Sequence, residues 1–328
     1  MASPRIVFIG AHVEAEGPLR YLLSSGETVV GLMTLTPEAM RNMSGAIDLG
    51  SIAEDFPACA VRRVASANDA AAVEWISSLD PDLLLVIGWT RLIHERLLVV
   101  PRIATLGFHA SLLPRYRGRA PINWALINGE ESTGNTLMVL APGADEGDIV
   151  AQREIPILFE DTCATLYRKV SDTEIDMLAE VLAGLRSGKP LPRRRQDPDG
   201  ASVMPKRRPE DGLVDWNWSA PRLYDWIRAQ THPYPGAFAY CGENPGSAAA
   251  KVWIWESLPV THTGKAGATP GTVDADASGW PVAATGDGGW LRLISVQREG
   301  APELSGREAL QQNLFRAGET KLTSGEAR

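Results

Sequence analysis

Residues 82–88 read DLLLVIG, an unbroken apolar run that stops on a glycine. A strand with one wet face alternates apolar and polar residues. An unbroken run of strand length therefore marks a strand buried on both faces, as in a parallel sheet covered by helices. Residues 5–10 (RIVFIG) repeat the signature, and 27–33 (ETVVGLM) supply a further strand. Residues 18–24 and 67–78 between them carry helical spacing. Strands alternating with helices predict an α/β fold: a Rossmann-like, doubly wound domain. Ligands of such sheets bind beyond the carboxyl ends of the strands. That directs attention to residues 10–16, 89–93 and the chain from 107 onward. Residues 10–16 (GAHVEAE) lack the G-x-G-x-x-G fingerprint, so no dinucleotide is expected.

Residues 162–185 read as one long amphipathic helix with Leu166, Val170, Ile175, Leu178 and Val181 on its apolar face. Glycine and proline then interrupt the pattern, which predicts a first domain over 1–190 and a linker over 191–206. The texture after the linker differs. A short helix at 220–230 precedes strand-like VWIWESLPV, PGTV and WLRLISVQ, separated by glycine-rich turns. These predict a small OB-like β-barrel domain over 207–318. The polar tail, 319–328, is expected to be disordered.

The formal net charge of −8 argues against broad nucleic-acid binding, which needs a basic face to displace counterions. One basic run, residues 192–208, reads as a solvated connector. Three scattered cysteines without a C-x-x-C pair suggest neither a disulfide framework nor a zinc site. The absence of a signal-peptide pattern and of any long apolar run leads to the expectation of a cytoplasmic protein without a membrane span.

His109 follows the apolar segment 103–108 and opens the loop SLLPRYRGRAP, where prolines and a glycine exclude a helix interior. A histidine delivered by a strand into a loop can reach a ligand. Residues 135–140 (NTLMVL) read as a strand, and APGADEGDIV turns the chain back into another at Ile149. Asp145 sits on that turn. An aspartate there can cap its own backbone instead of doing chemistry.

The run HASLLPRYRGRAPINWALINGEESTGNTLMVLAPGADEGDIVAQ resembles the N10-formyltetrahydrofolate-dependent formyltransferase family, whose members formylate methionyl-tRNA or amino sugars. The segment RRPEDGLVDWNWSAPRLYDWIRAQTHPYPGAFAY, with PGTV downstream, resembles the family's C-terminal domain. The likeness covers residues 5–315. It implies a Rossmann-like catalytic domain followed by an OB-like barrel, with N10-formyltetrahydrofolate as the donor substrate. It also implies an active site of an asparagine, a histidine and an aspartate. His109 and Asp145 match two of these. Gly107 stands where the asparagine is expected, which removes a side-chain donor for the oxyanion. Losing one such donor typically costs on the order of 10²–10³ in rate.

By the same resemblance Trp89, Leu92 and Ile93 line the folate pocket, with Asp145 at its edge; Leu92 and Ile93 can equally be core residues. Arg115, Arg117 and Arg119 could bind phosphates of a nucleotide sugar or the folate glutamate tail, although Arg117 could simply brace its loop. Asn123 could contact the acceptor or pack. RGRAPINWALINGE resembles the sugar-nucleotide members, and residues 36–49 lack a basic insertion suited to tRNA. The expected reaction is formyl transfer to the primary amine of a small acceptor, an amino sugar or nucleotide-linked amino sugar. The alternatives are methionyl-tRNA formylation, transfer of another acyl or one-carbon group, formyltetrahydrofolate hydrolysis, and folate binding without catalysis. The sequence does not fix an oligomeric state.

Overall fold

The computed structural model describes residues 3–325 except 42, 44, 243–249, 263, 265 and 266. The first unit is built on strands β1 (Arg5–Ile9), β2 (Thr28–Leu35), β3 (Ala60–Val64), β4 (Leu83–Val86) and β5 (Ala104–His109). The two-residue β6 (Arg117–Gly118) lies apart, and β7 (Ser132–Val139) and β8 (Ile149–Pro156) complete the sheet. The strand order is β3-β2-β1-β4-β5-β7-β8. The first five run parallel, and β7 and β8 add an antiparallel hairpin at the edge.

The unbroken apolar runs are explained by two cores, because successive side chains on a strand face opposite ways. Ile6, Phe8, Leu83 and Leu85 point into one, with Leu19 and Leu22 of the helix Glu16–Ser24 and Leu178 and Leu182 of the helix Cys163–Arg186. Val7, Ile9, Leu84 and Val86 point into the other, with Ala72 and Ile76 of the helix Ala70–Ser78. Each fully buried leucine among them contributes about 1.5–3 kcal/mol of transfer free energy. The expected doubly wound sheet is present, and its order reverses between β1 and β4.

The segment expected as a linker is packed into the first unit, which includes residues 167–205. Arg194 bridges Ile149, Gln196 is 6% exposed, and a short strand β9 (Val203–Met204) pairs in parallel with β6. The physical reason is hydrogen bonding. The turns at 116–119 and 145–147 leave backbone groups that need partners, and residues 196–204 supply them. Charged neighbours hide this role in the sequence.

The second unit gathers residues 206–328 with 122–131 and 157–166, so the boundary is not a single cut near residue 190. Its strands are β10 (Ala237–Cys241), β11 (Ala250–Val260), β12 (Val273–Ala275), β13 (Pro281–Ala284), β14 (Trp290–Arg298), β15 (Glu303–Ser305) and β16 (Leu322–Thr323). They form an antiparallel sheet in the order β12-β13-β14-β11-β10-β16, with β15 on β14. Leu223 and Ile227 of the helix Ala220–Arg228 pack into its core with Val252, Ile254 and Leu291. Thr272 bridges Lys321, which brings the two ends of the sheet together. This corrects the expected disorder over residues 319–325. Leu322 is 1% exposed, and its N–H donates to the Gly271 carbonyl at 2.8 Å. Only alternate residues of the tail point inward, so its composition reads polar. The last three residues lie outside those described. Among the described residues, no helix is long and apolar enough to cross a membrane.

Candidate active site

β5 ends on His109, at the carboxyl edge of the sheet and 8% exposed. The β7–β8 turn carries Asp145, whose φ of +57° places it in the left-handed region. Gly147 lets this turn close, because a Cβ there would overlap the Val139 carbonyl oxygen. The two side chains converge: His109 Nδ1 lies 3.6 Å from Asp145 Oδ2. The same carboxylate oxygen accepts the Gly118 N–H at 2.8 Å, which orients it toward the loop after β5.

The other ring nitrogen fixes the tautomer. His109 Nε2 is 2.7 Å from the carbonyl oxygen of Tyr116. A carbonyl only accepts, so Nε2 carries the hydrogen. Nδ1 of the neutral ring is then a bare lone pair beside a carboxylate. Two acceptors 3.6 Å apart are too far for a mutual hydrogen bond and well placed to share a proton brought by a third group. The arrangement can take a proton from an ammonium, hold it as an imidazolium beside a carboxylate, and return it.

Gly107 lies two residues upstream, paired with Val86 on β4 and Met138 on β7. A Cβ built on it would come within 2.8 Å of Leu140 Cδ2 and 3.1 Å of the Val86 carbonyl oxygen. The room beside Gly107 is thus occupied by leucine methyl groups.

A cavity of about 270 Å³ opens beside this pair. Trp89, Leu92, Ile93, Gly107, His109, Arg119 and Asp145 all contribute to its wall. Trp89 and Ile93 also pack on the core, whereas Leu92 is 70% exposed. The Trp89 indole N–H is buried without a partner among the described residues. The loop 89–93 is pinned at its C-terminal end by Asn68, a residue that sequence reasoning missed. Its Nδ2 donates to the Leu92 carbonyl and its Oδ1 accepts the His94 N–H, both at 2.8 Å. Arg91 donates to the carbonyls of Ala39 and Ala65.

The three loop arginines separate. Arg117 donates through Nε and Nη2 to Gln196 Oε1, at 3.1 and 2.8 Å, and so braces the loop. Arg115 is exposed, with its guanidinium 5.5 Å from the Tyr116 ring centre. Arg119 alone of the three lines the cavity. Asn123 belongs to the second unit, where it is 1% exposed and its amide donates to the Ala229 carbonyl at 2.6 Å. Its Oδ1 is buried without a partner among the described residues. Gln196 and Leu140 are further residues of the site that sequence reasoning missed. Neither sits in a pattern that marks it: one lies within a charged run, the other at a strand end.

The α/β unit with its cavity and the antiparallel β unit together define a two-domain group-transfer enzyme. Residues 11–182 match the formyl transferase family, and residues 206–314 match the formyl transferase C-terminal domain. The chain belongs to the formyl transferase family. It is 30% identical over 309 residues to the methionyl-tRNA formyltransferase of Caldanaerobacter subterraneus subsp. tengcongensis, covering 93% of this chain and 96% of that one. Its fold is similar to an N-formyltransferase from Helicobacter canadensis solved with folinic acid and dTDP-3-aminofucose, with a TM-score of 0.66 and 15% identity over 91% of this chain and all of that one. It is also similar to HypX from Aquifex aeolicus solved with tetrahydrofolic acid, with a TM-score of 0.64 and 20% identity over 96% of this chain and 48% of that one.

Proposed function

We propose that the chain transfers a formyl group from N10-formyltetrahydrofolate to the primary amine of a small acceptor, an amino sugar or a nucleotide-linked amino sugar. The observation that carries the chemistry is the pair of acceptors made by His109 Nδ1 and Asp145 Oδ2 in the cavity wall. The acceptor arrives as an ammonium and must lose a proton to attack. Nδ1 takes that proton, with the Asp145 carboxylate beside it. The amine nitrogen bonds to the formyl carbon, and the carbonyl electron pair moves onto oxygen. The imidazolium N–H at Nδ1 then faces developing negative charge, the task the missing asparagine amide would have shared. Collapse re-forms the carbonyl and breaks the bond to N10. The proton held by His109 passes to the leaving nitrogen, and the second proton shed by the attacking nitrogen leaves through the same pair to solvent, giving the formamide, tetrahydrofolate and one released proton.

The Leu140 methyl groups that a Cβ at Gly107 would meet support reading that position as packed rather than vacated. Folinic acid in the Helicobacter canadensis enzyme supports a folate donor. A small acceptor is supported by the net charge of −8 and by residues 36–49, where Arg41 stands against Glu38 and Asp48. With one basic side chain against two acidic ones, the segment's charge balance does not favour a polynucleotide.

A second reading, methionyl-tRNA as acceptor, is favoured by the name of the Caldanaerobacter relative, which is similar along nearly the whole chain. One experiment tests both. The purified protein is incubated with N10-formyltetrahydrofolate and either dTDP-3-aminofucose or charged initiator tRNA, and products are followed by mass spectrometry. Formylated sugar supports the first reading, and formylmethionyl-tRNA replaces it with the second. Folate turnover independent of any amine would make the protein a hydrolase. No turnover under any condition would sink transfer altogether.

A further inference from the structure

We propose that Gln196 is a positioning residue for this site, and that the segment carrying it, 196–204, is a strut that sets the separation of His109 and Asp145. The inference rests on the reading of those two residues as the proton-transfer pair. Gln196 is buried, and its side-chain amide is fully used. Nε2 donates to the carbonyls of Asp145 and Gly147, both at 2.8 Å. Oε1 accepts from Nε and Nη2 of Arg117. One side chain therefore grips the turn that carries Asp145 and the loop whose next residue, Gly118, holds the Asp145 carboxylate.

The same segment fixes the other side of the imidazole. Ser202 Oγ accepts the Tyr116 N–H at 2.8 Å, and the Ser202 carbonyl accepts the Arg117 N–H at 2.8 Å. The Met204 carbonyl accepts the Arg119 N–H at 3.2 Å. Tyr116 is held with φ at +60°, and its carbonyl is the acceptor that keeps the hydrogen on His109 Nε2. A left-handed residue persists only where its surroundings over-determine it. Here Gln196 and Ser202 flank two left-handed non-glycine residues of the site, Asp145 and Tyr116. Gln196 meets Asp145 at its backbone carbonyl and Ser202 reaches His109 by way of Tyr116, so both act on the pair away from its reacting atoms and the role is positional.

The test uses the full chain with Gln196→Glu, Gln196→Met and Ser202→Ala. Gln196→Glu keeps the acceptor for Arg117 and loses both donations to the Asp145 turn. A misplacement of about 1 Å costs on the order of 10²-fold in rate. Both Gln196 variants are therefore expected to lower kcat by roughly 10- to 100-fold, with the folate KM changed less than about threefold. Ser202→Ala is expected to act in the same direction by a smaller factor. The second readout is independent of activity. In ¹⁵N spectra of histidine-labelled protein, His109 is expected as a single Nε2–H tautomer in the parent, and as a mixture or exchange-broadened in the variants. Folded variants with kcat within twofold of the parent and an unchanged His109 signal would overturn the strut. A parent without transferase activity would instead count against the functional reading, while the His109 signal still decides the positioning role.

Discussion

His109 Nδ1 and Asp145 Oδ2 stand 3.6 Å apart, on a strand end and a left-handed turn separated by 36 positions in the chain. Neither group hydrogen-bonds the other, and each is held from behind: the ring by the Tyr116 carbonyl, the carboxylate by the Gly118 N–H. If this gap receives the acceptor's proton, each partner has a separable effect. His109→Gln removes the base and is expected to lower kcat by about 10²–10⁴-fold. Asp145→Asn keeps an oxygen for Gly118 and loses only the charge, and is expected to lower kcat by about 10²-fold or more. Steady-state kinetics on variants of native circular dichroism check this. Retention of most activity by either variant would remove that residue from the mechanism.

Gly107 and Leu140 form a complementary pair. An asparagine at 107 would press its Cβ onto a leucine methyl at 2.8 Å and the Val86 carbonyl at 3.1 Å. Overpacking of this kind costs roughly 1–3 kcal/mol. Gly107→Asn alone is therefore expected to lower the unfolding free energy in urea by that amount, and addition of Leu140→Ala to restore part of it. Equal destabilisation in the single and double variants would show that Leu140 does not determine what position 107 accepts.

Much of this architecture was legible in the sequence, for reasons that also explain the gaps. DLLLVIG and RIVFIG betray strands buried on both sides because such strands cannot afford polar residues on either face. His109 and Asp145 could be paired through the resemblance of their segments, although Asp145 alone reads as a turn cap. The partners that hold them were not legible. Gln196 sits in RRRQDPDG, and its burial depends on two turns distant in sequence. Likewise Thr320 and Leu322 look like a polar tail until the bridge from Lys321 to Thr272 shows which face is inward.

Glu174 carries a cost of burial that the proposed reaction does not use. Burial raises its carboxyl well above the ordinary value of 4.5, the nearby charge of Glu14 adds to this, and a hydrogen bond from Asn135 only partly opposes it. Its Oε2 is buried without a partner among the described residues. The folded chain thus keeps this proton when the unfolded chain has released it. Stability from this group is full below about pH 4.5 and declines as pH rises toward the raised folded value. Glu174→Gln is expected to raise the melting temperature at pH 7 and to have little effect at pH 4. An equal shift at both pH values would show that ionisation is not the cause.

Burial likewise quiets two thiols. It pushes Cys59 up to about 11 and Cys163 to about 12, and the Cys163 thiol also donates to the Thr231 carbonyl at 3.3 Å. Alkylation needs the thiolate and access to it. Native protein at pH 8 is expected to resist iodoacetamide at both positions under conditions that modify the urea-unfolded chain completely. Peptide mapping checks this. Rapid native labelling at either cysteine would place it in a more open environment than the fold describes.

Arg117 and Arg119 meet different surroundings, which makes their roles separable by kinetics. Arg117 spends its guanidinium on Gln196, whereas Arg119 lines the cavity with His109 and Asp145. A guanidinium placed there suits a phosphate or carboxylate on the incoming molecule. Arg119→Ala is accordingly expected to raise the KM for a phosphorylated amino-sugar acceptor by about 10-fold, the loss of one charge-assisted contact of roughly 1.5 kcal/mol, with kcat little changed. Arg117→Ala should instead lower kcat, because it loosens the loop that holds Asp145 through Gly118. Measuring KM and kcat for both variants distinguishes the two roles. Identical kinetic defects would mean that both arginines brace the loop, and that the acceptor's anion is recognised elsewhere.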